Sequence, residues 1–120
     1  MPDVAGTIDI AQTAKVCYEA TRAYSQTLGE NKKPWEEIEQ SERDTYMNGV
    51  ISRVNNLDAT PEEQHEQWCM AKRLAGWTFG KTDTAAKTHD CLRPYHELPE
   101  KVRLKDALFL AIVKTMANAL

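Results

Sequence analysis

No stretch of this 120-residue chain is apolar for long enough to cross a bilayer: the longest such run, Ala107 to Val113, falls far short of the ~20 residues a spanning helix needs. Cysteine is scarce. Cys17, Cys69 and Cys91 are odd in number and widely spaced, which is no disulfide framework and suits free thiols in a reducing compartment. Glycine is scarce too, and neither Gly76 nor Gly80 opens a helix, so Walker-type and dinucleotide phosphate loops are missing. Nor is there a basic excess: the net charge is −3, with no basic stripe and no lysine-rich amphipathic helix, which argues against nucleic-acid and membrane partners. Internal repeats and low-complexity tracts are absent, and the first residues lack the charged and apolar pattern of a signal sequence. The expectation is a cytoplasmic protein.

What is present reads as one modest domain over residues 9–120 behind a mobile tail over 1–8. Hydrophobic residues make up 42%, enough for a core. Charge is unevenly placed: residues 1–66 hold 6 Lys/Arg against 13 Asp/Glu, and residues 67–120 hold 9 against 5, so phosphates would be met by the second half. The clearest element is Thr60-Pro61-Glu62-Glu63 followed by a helical run to Ala75. Thr60 caps, Pro61 needs no backbone donor, Glu63 closes a capping box and Gly76 stops the helix, turning Trp77 and Phe79 to one side of a short extended piece. Asp9 caps an earlier helix with a stripe of Ile10, Ala14, Cys17, Thr21, Tyr24 and Leu28, ended by Gly29. Ser41 with Asp44 marks another start, with Tyr46, Val50, Val54 and Leu57 buried, and Gly49 inside it implies a close approach by a helix or ligand. Lys81–Asp90 reads as a surface loop, Cys91–Tyr95 as extended, and Pro99 opens a last helix carrying Val102, Phe109, Ile112 or Val113, and Met116. The fold class is mainly α: a compact bundle of about four helices with one or two short extended segments.

Several constellations could carry chemistry. His65 and Cys69 are one helical turn apart and His89, Cys91 and His96 cluster later, yet the paired spacings of structural zinc sites are lacking, so no metal or other cofactor is expected. A cysteine nucleophile at Cys69 or Cys91 lacks a glycine-rich or helix-start setting, and the reading is of a protein that is not an enzyme. Aromatic planes at Tyr18, Trp35, Trp77 and Phe79, with charge from Arg22, Arg73, Lys81 and Arg93, could clamp a nucleotide between rings and guanidinium or ammonium groups. The plain alternatives are that Tyr18 and Arg22 are solvated surface, that Trp35 is a lid on the core, and that Trp68 and Trp77 are core.

Taken in order, Glu19-Ala20-x-Arg22, Pro34-Trp35-Glu36, Gly49-Val50, His65-Glu66-x-Trp68, Gly76-Trp77-x-Phe79-Gly80 and Pro94-Tyr95-x-Glu97-Leu98-Pro99 with Asp106 beyond form a recognisable set. It resembles the RyR domain, the repeat of the cytoplasmic part of ryanodine receptors that also occurs alone in bacterial and phage proteins. The resemblance runs from about Ala14 to about Lys114 and departs from the usual pattern at Thr21, where Asn is commoner, and at Asp90, where Pro normally follows the His. It implies a non-catalytic module that senses or sequesters an adenine-nucleotide or cyclic ADP-ribose-like signal, with Trp35 and Arg22 first among the ligand-binding residues. It also implies two-fold pairing, which a single copy achieves only as a homodimer, in the host cytoplasm if phage-encoded. The competing expectation is a structural protein–protein interaction domain.

Overall fold

The computed structural model describes residues 8–118. The expected tail lies outside the described residues except for Ile8, which packs half-buried against the core. The chain is mainly α, with helices α1 (Ile10–Thr27), α2 (Gln40–Val54), α3 (Pro61–Leu74) and α4 (Glu100–Asn118). Two short strands, β1 (Thr78–Phe79) and β2 (Thr88–His89), and single 3₁₀ turns at Trp35–Glu37 and Tyr95–Glu97 complete it. Among the described residues no helix is long and apolar enough to cross a membrane. The chain divides into two compact units: one runs to Ala59 and resumes at Ala107, the other is Thr60–Asp106.

The first unit is built on the apolar faces of α1, α2 and the later part of α4. Ala14, Cys17, Val50, Val54, Phe109 and Val113 form its core, with Trp35, Tyr46, Met47, Leu57 and Ile112 packed around them. Asp9 caps α1 by accepting from the Gln12 amide at 3.0 Å, and Gly29, with φ of +82°, lets the chain leave the helix. The close approach expected at Gly49 is made by the Phe109 ring: a Cβ there would meet Phe109 Cζ at 3.2 Å. The start of α2 differs from expectation. It begins at Gln40 behind Glu39, with no side-chain cap, because Ser41 is already inside the helix.

The second unit begins with the capping box of α3, in which Thr60 Oγ1 accepts from the Glu63 amide at 3.2 Å and Glu63 accepts from the Thr60 amide at 3.1 Å. Gly76, at φ of +92°, turns the chain out of α3 as expected. The segment expected as a loop without period instead contributes β2, which pairs parallel with β1 in the register Thr78 to Thr88 and Phe79 to His89. So short a parallel connection is possible because Lys87 takes a left-handed φ of 54° while its ammonium donates to the Ala75 carbonyl at 3.1 Å. The expected extended run Cys91–Tyr95 is likewise different: a turn spans Asp90–Cys91, and Tyr95 already starts the second 3₁₀ turn.

Candidate functional site

In the first unit, two consecutive residues of α1 hold the Pro-Trp loop. Tyr18 is buried, and its hydroxyl donates to the Lys33 carbonyl at 2.5 Å; Glu19 Oε2 accepts the Trp35 amide at 2.9 Å. Arg22 braces that carboxylate from the next turn, Nη2 donating to Glu19 Oε1 at 2.8 Å and Nε at 3.1 Å. Its guanidinium, with the Trp35 amide, holds the Glu19 carboxyl below the usual carboxylate range. Trp35 is half-buried, its ring 5.8 Å from that of Tyr18 and 6.0 Å from the Arg43 guanidinium. Tyr18 in turn packs edge-on against Tyr46 at 5.3 Å.

Beside this aromatic stack lies a cavity of about 290 Å³ lined by Tyr18, Lys32, Lys33, Glu37, Ile38, Glu39 and Glu42. Glu37, Glu39 and Glu42 bring three acidic residues to its lining against Lys32 and Lys33. From the sequence, the acidic segment 36–44 could supply paired carboxylates but reads first as a solvated flank of mixed charge, and Lys32 and Lys33 carry no signal at all until the loop is seen to fold back. Sequence reasoning missed the bracing of Glu19, although Glu19 and Arg22 stand at a spacing that permits it.

In the second unit, Trp77 is half-buried with the Lys72 ammonium 4.5 Å from its ring centre, while Arg73, Phe79 and Lys81 are exposed. Arg93 is half-buried, and its backbone carbonyl rather than its side chain meets a functional group: it lies 2.8 Å from His65 Nε2. That contact requires a proton on Nε2, leaving Nδ1 toward Asp106 Oδ2 at 3.8 Å. Burial pushes the Asp106 carboxyl up to about 7, against a smaller opposite pull from Lys105. Trp68, expected as core, is half-buried, stacked on His65 at 5.7 Å with the Lys72 ammonium 5.9 Å from its ring centre. Cys69 is buried 3.3 Å from His65 Nε2, and burial raises its thiol.

The sequence-based site residues therefore fall into two groups. Tyr18, Arg22 and Trp35 come together in the first unit, where Tyr18 lines the cavity and the other two do not; Arg73, Trp77, Phe79, Lys81 and Arg93 belong to the second and do not line it. For metals, the groups of three or more potential ligands among the described residues reduce to His89, Asp90 and Cys91. His96, grouped with His89 and Cys91 by sequence, is exposed and stands apart from them.

The elements described are those of a small, mainly α domain. The chain belongs to the RyR domain family, whose model matches residues 50–118. Tyr18, Arg22 and Trp35 stand before the matched stretch, and the Gly-Trp corner, His65 and Asp106 stand inside it. The search of curated proteins finds no match.

Proposed function

We propose that the chain is a non-catalytic module that binds a small nucleotide-type signal, an adenine nucleotide or a cyclic ADP-ribose-like compound, to sense or sequester it in the cytoplasm. The observation that carries this is the cavity of about 290 Å³ against the Pro-Trp loop. It stands at the lower end of the ~300–1,000 Å³ usual for ligand pockets, room for one nucleoside rather than two. Its carboxylates suit the amino group of a base, which donates, while Lys32 and Lys33 supply positive charge for a phosphate. Three glutamates against two lysines disfavour a polyphosphate, so a monophosphate or cyclic phosphate is the better fit. Trp35 stands one ring removed, 5.8 Å from the Tyr18 ring that lines the cavity, and Arg22 reaches a phosphate only by sharing its guanidinium with Glu19.

The lack of catalysis is supported by His65: with Nε2–H committed to the Arg93 carbonyl, it is no base for the buried Cys69 thiol. A reducing cytoplasm, the host's if the gene is a phage's, suits the three free cysteines. A homodimer is proposed on the acidic first half and basic second half of the sequence, which can meet across a self-complementary contact. Met70, Leu74 and Phe79, respectively 62%, 85% and 61% exposed, favour a second reading as a protein-interaction domain.

Thermal-shift measurements on the full chain with a nucleotide panel separate the two readings. A ligand specific for the folded state raises the melting temperature, and Trp35→Ala should then weaken binding by roughly 1–3 kcal/mol. A panel without any shift at millimolar concentration, or undiminished affinity in a folded Trp35→Ala variant, leaves the interaction reading. Light scattering with and without the ligand tests the dimer; a monomer mass in both states ends that part of the proposal.

A further inference from the structure

The turn that follows β2 places three chemically different donors together. A strand alternates its side chains, so consecutive residues seldom converge; here the strand ends at His89, and the Leu92 amide donates back to the His89 carbonyl at 3.4 Å. The Asp90 amide is held by Thr82 Oγ1 at 3.2 Å, which fixes the turn from the opposite side. As a result His89 Nδ1 lies 3.6 Å from Asp90 Oδ1, and the same oxygen lies 3.3 Å from Cys91 Sγ. All three ligand atoms lie within 4.8 Å of one another.

The geometry points to a binding site for one Zn²⁺-class cation formed by His89, Asp90 and Cys91, with a fourth coordination position open to water or an outside donor. Tetrahedral zinc, with Zn–N and Zn–O of about 2.1 Å and Zn–S of about 2.3 Å, sets its ligands about 3.4 Å (N to O) and about 3.6 Å (O to S) apart. The observed 3.6 and 3.3 Å differ from these by a few tenths of an ångström. The donor set also chooses the ion. One imidazole, one carboxylate and one thiol suit borderline-soft divalent zinc, whereas calcium and magnesium demand oxygen ligands throughout.

Protons occupy the position the cation takes. The Cys91 thiol donates to Asp90 Oδ1, and the Cys91 amide donates to His89 Nδ1 at 3.0 Å, so Nδ1 is unprotonated and the imidazole must turn its lone pair off that amide to take the cation. Binding exchanges the thiol proton for the metal and releases it to solvent, and it exchanges one neutral hydrogen bond for a metal–nitrogen bond. The thiolate and carboxylate then offset the 2+ charge, leaving no net charge in the half-buried turn. The His89 ring is also restrained, edge-on to Trp68 at 5.0 Å and 6.4 Å from Trp77. Those two indoles make occupancy visible. The site lies in Thr60–Asp106 and does not depend on the nucleotide reading.

The test titrates the full-length chain with ZnCl₂ by calorimetry and with CoCl₂ by absorption and tryptophan fluorescence. One ion per chain, a thiolate-to-cobalt charge-transfer band and quenched tryptophan emission are expected. Cys91→Ser and His89→Gln should each weaken Zn²⁺ binding at least tenfold, Asp90→Asn should weaken it severalfold, and His96→Asn should leave it unchanged. Absence of binding below millimolar Zn²⁺, equal affinity in folded Cys91→Ser, or loss of binding in His96→Asn would overturn the site. Should His89→Gln fail to fold, alkylation of the wild-type Cys91 decides: Zn²⁺ should slow its reaction with iodoacetamide at least tenfold, and an unchanged rate sinks the proposal.

Discussion

Replacing Asp106 by Asn isolates the energetic effect of a buried acid. Its carboxyl, 18% exposed and facing His65 Nδ1 at 3.8 Å, is pushed from 3.8 up to about 7, first by burial. The folded state therefore binds a proton that the unfolded chain releases near pH 4, and stability falls as pH rises from there through 7. A difference of about 3 pKa units corresponds to at most ~4 kcal/mol, of which about 3 kcal/mol is lost between pH 5 and pH 8. Asn matches the protonated acid in size and neutrality, but it cannot ionise. Urea unfolding of the wild type and Asp106→Asn at pH 5 and pH 8 is the assay. The variant should match the wild type within ~1 kcal/mol at pH 5 and exceed it by about 2–3 kcal/mol at pH 8. The reasoning fails if the variant is the less stable one at pH 8, since that sign would mean an ionised Asp106 paired with a protonated His65.

Two other substitutions test the helices. Thr60→Ala removes the reciprocal capping bonds of α3 and should cost about 1 kcal/mol in the same unfolding assay, with Thr60→Ser restoring most of it. Gly49→Ala gains about 1 kcal/mol of helix propensity but drives a methyl to 3.2 Å from the Phe109 ring, so a net loss of about 1 kcal/mol is expected. Phe109→Leu should make the same glycine substitution stabilising, and an additive double mutant would count against the contact.

Legibility in the sequence followed the range of the interaction. The start and stop of α3 were readable because Thr60, Pro61, Glu63 and Gly76 act on backbone a few residues away. Gly49 announced a close neighbour without naming Phe109, which lies 60 residues on and enters only when the core forms. The pairing of Thr88 with Thr78 gave no periodic signal, because two-residue strands are too short for alternation to register, and the left-handed Lys87 that permits them is not a residue that favours that conformation. At the site, Trp35 and Arg22 were legible as an aromatic and a charge, but not the carboxylate joining them: Glu19 holds Arg22 through its side chain and Trp35 through its backbone. The cavity wall at Glu37, Glu39 and Glu42 depends on where the loop folds, a tertiary fact.

The grip of α1 on the Pro-Trp loop has a kinetic consequence. Tyr18 and Glu19 hold the Lys33 carbonyl and the Trp35 amide, on either side of a proline that has no amide of its own to offer. Neither bond can be lost by a side-chain flip on the loop, because the loop contributes backbone at both points. The loop is released only when α1 gives up both contacts, and the burial of the Tyr18 ring makes that a local opening rather than an exposed rotamer exchange. Because the Glu19 carboxylate is shared between Arg22 and the Trp35 amide, the mobility of the Trp35 ring is tied to an ion pair on α1, and salt that weakens the pair loosens the loop.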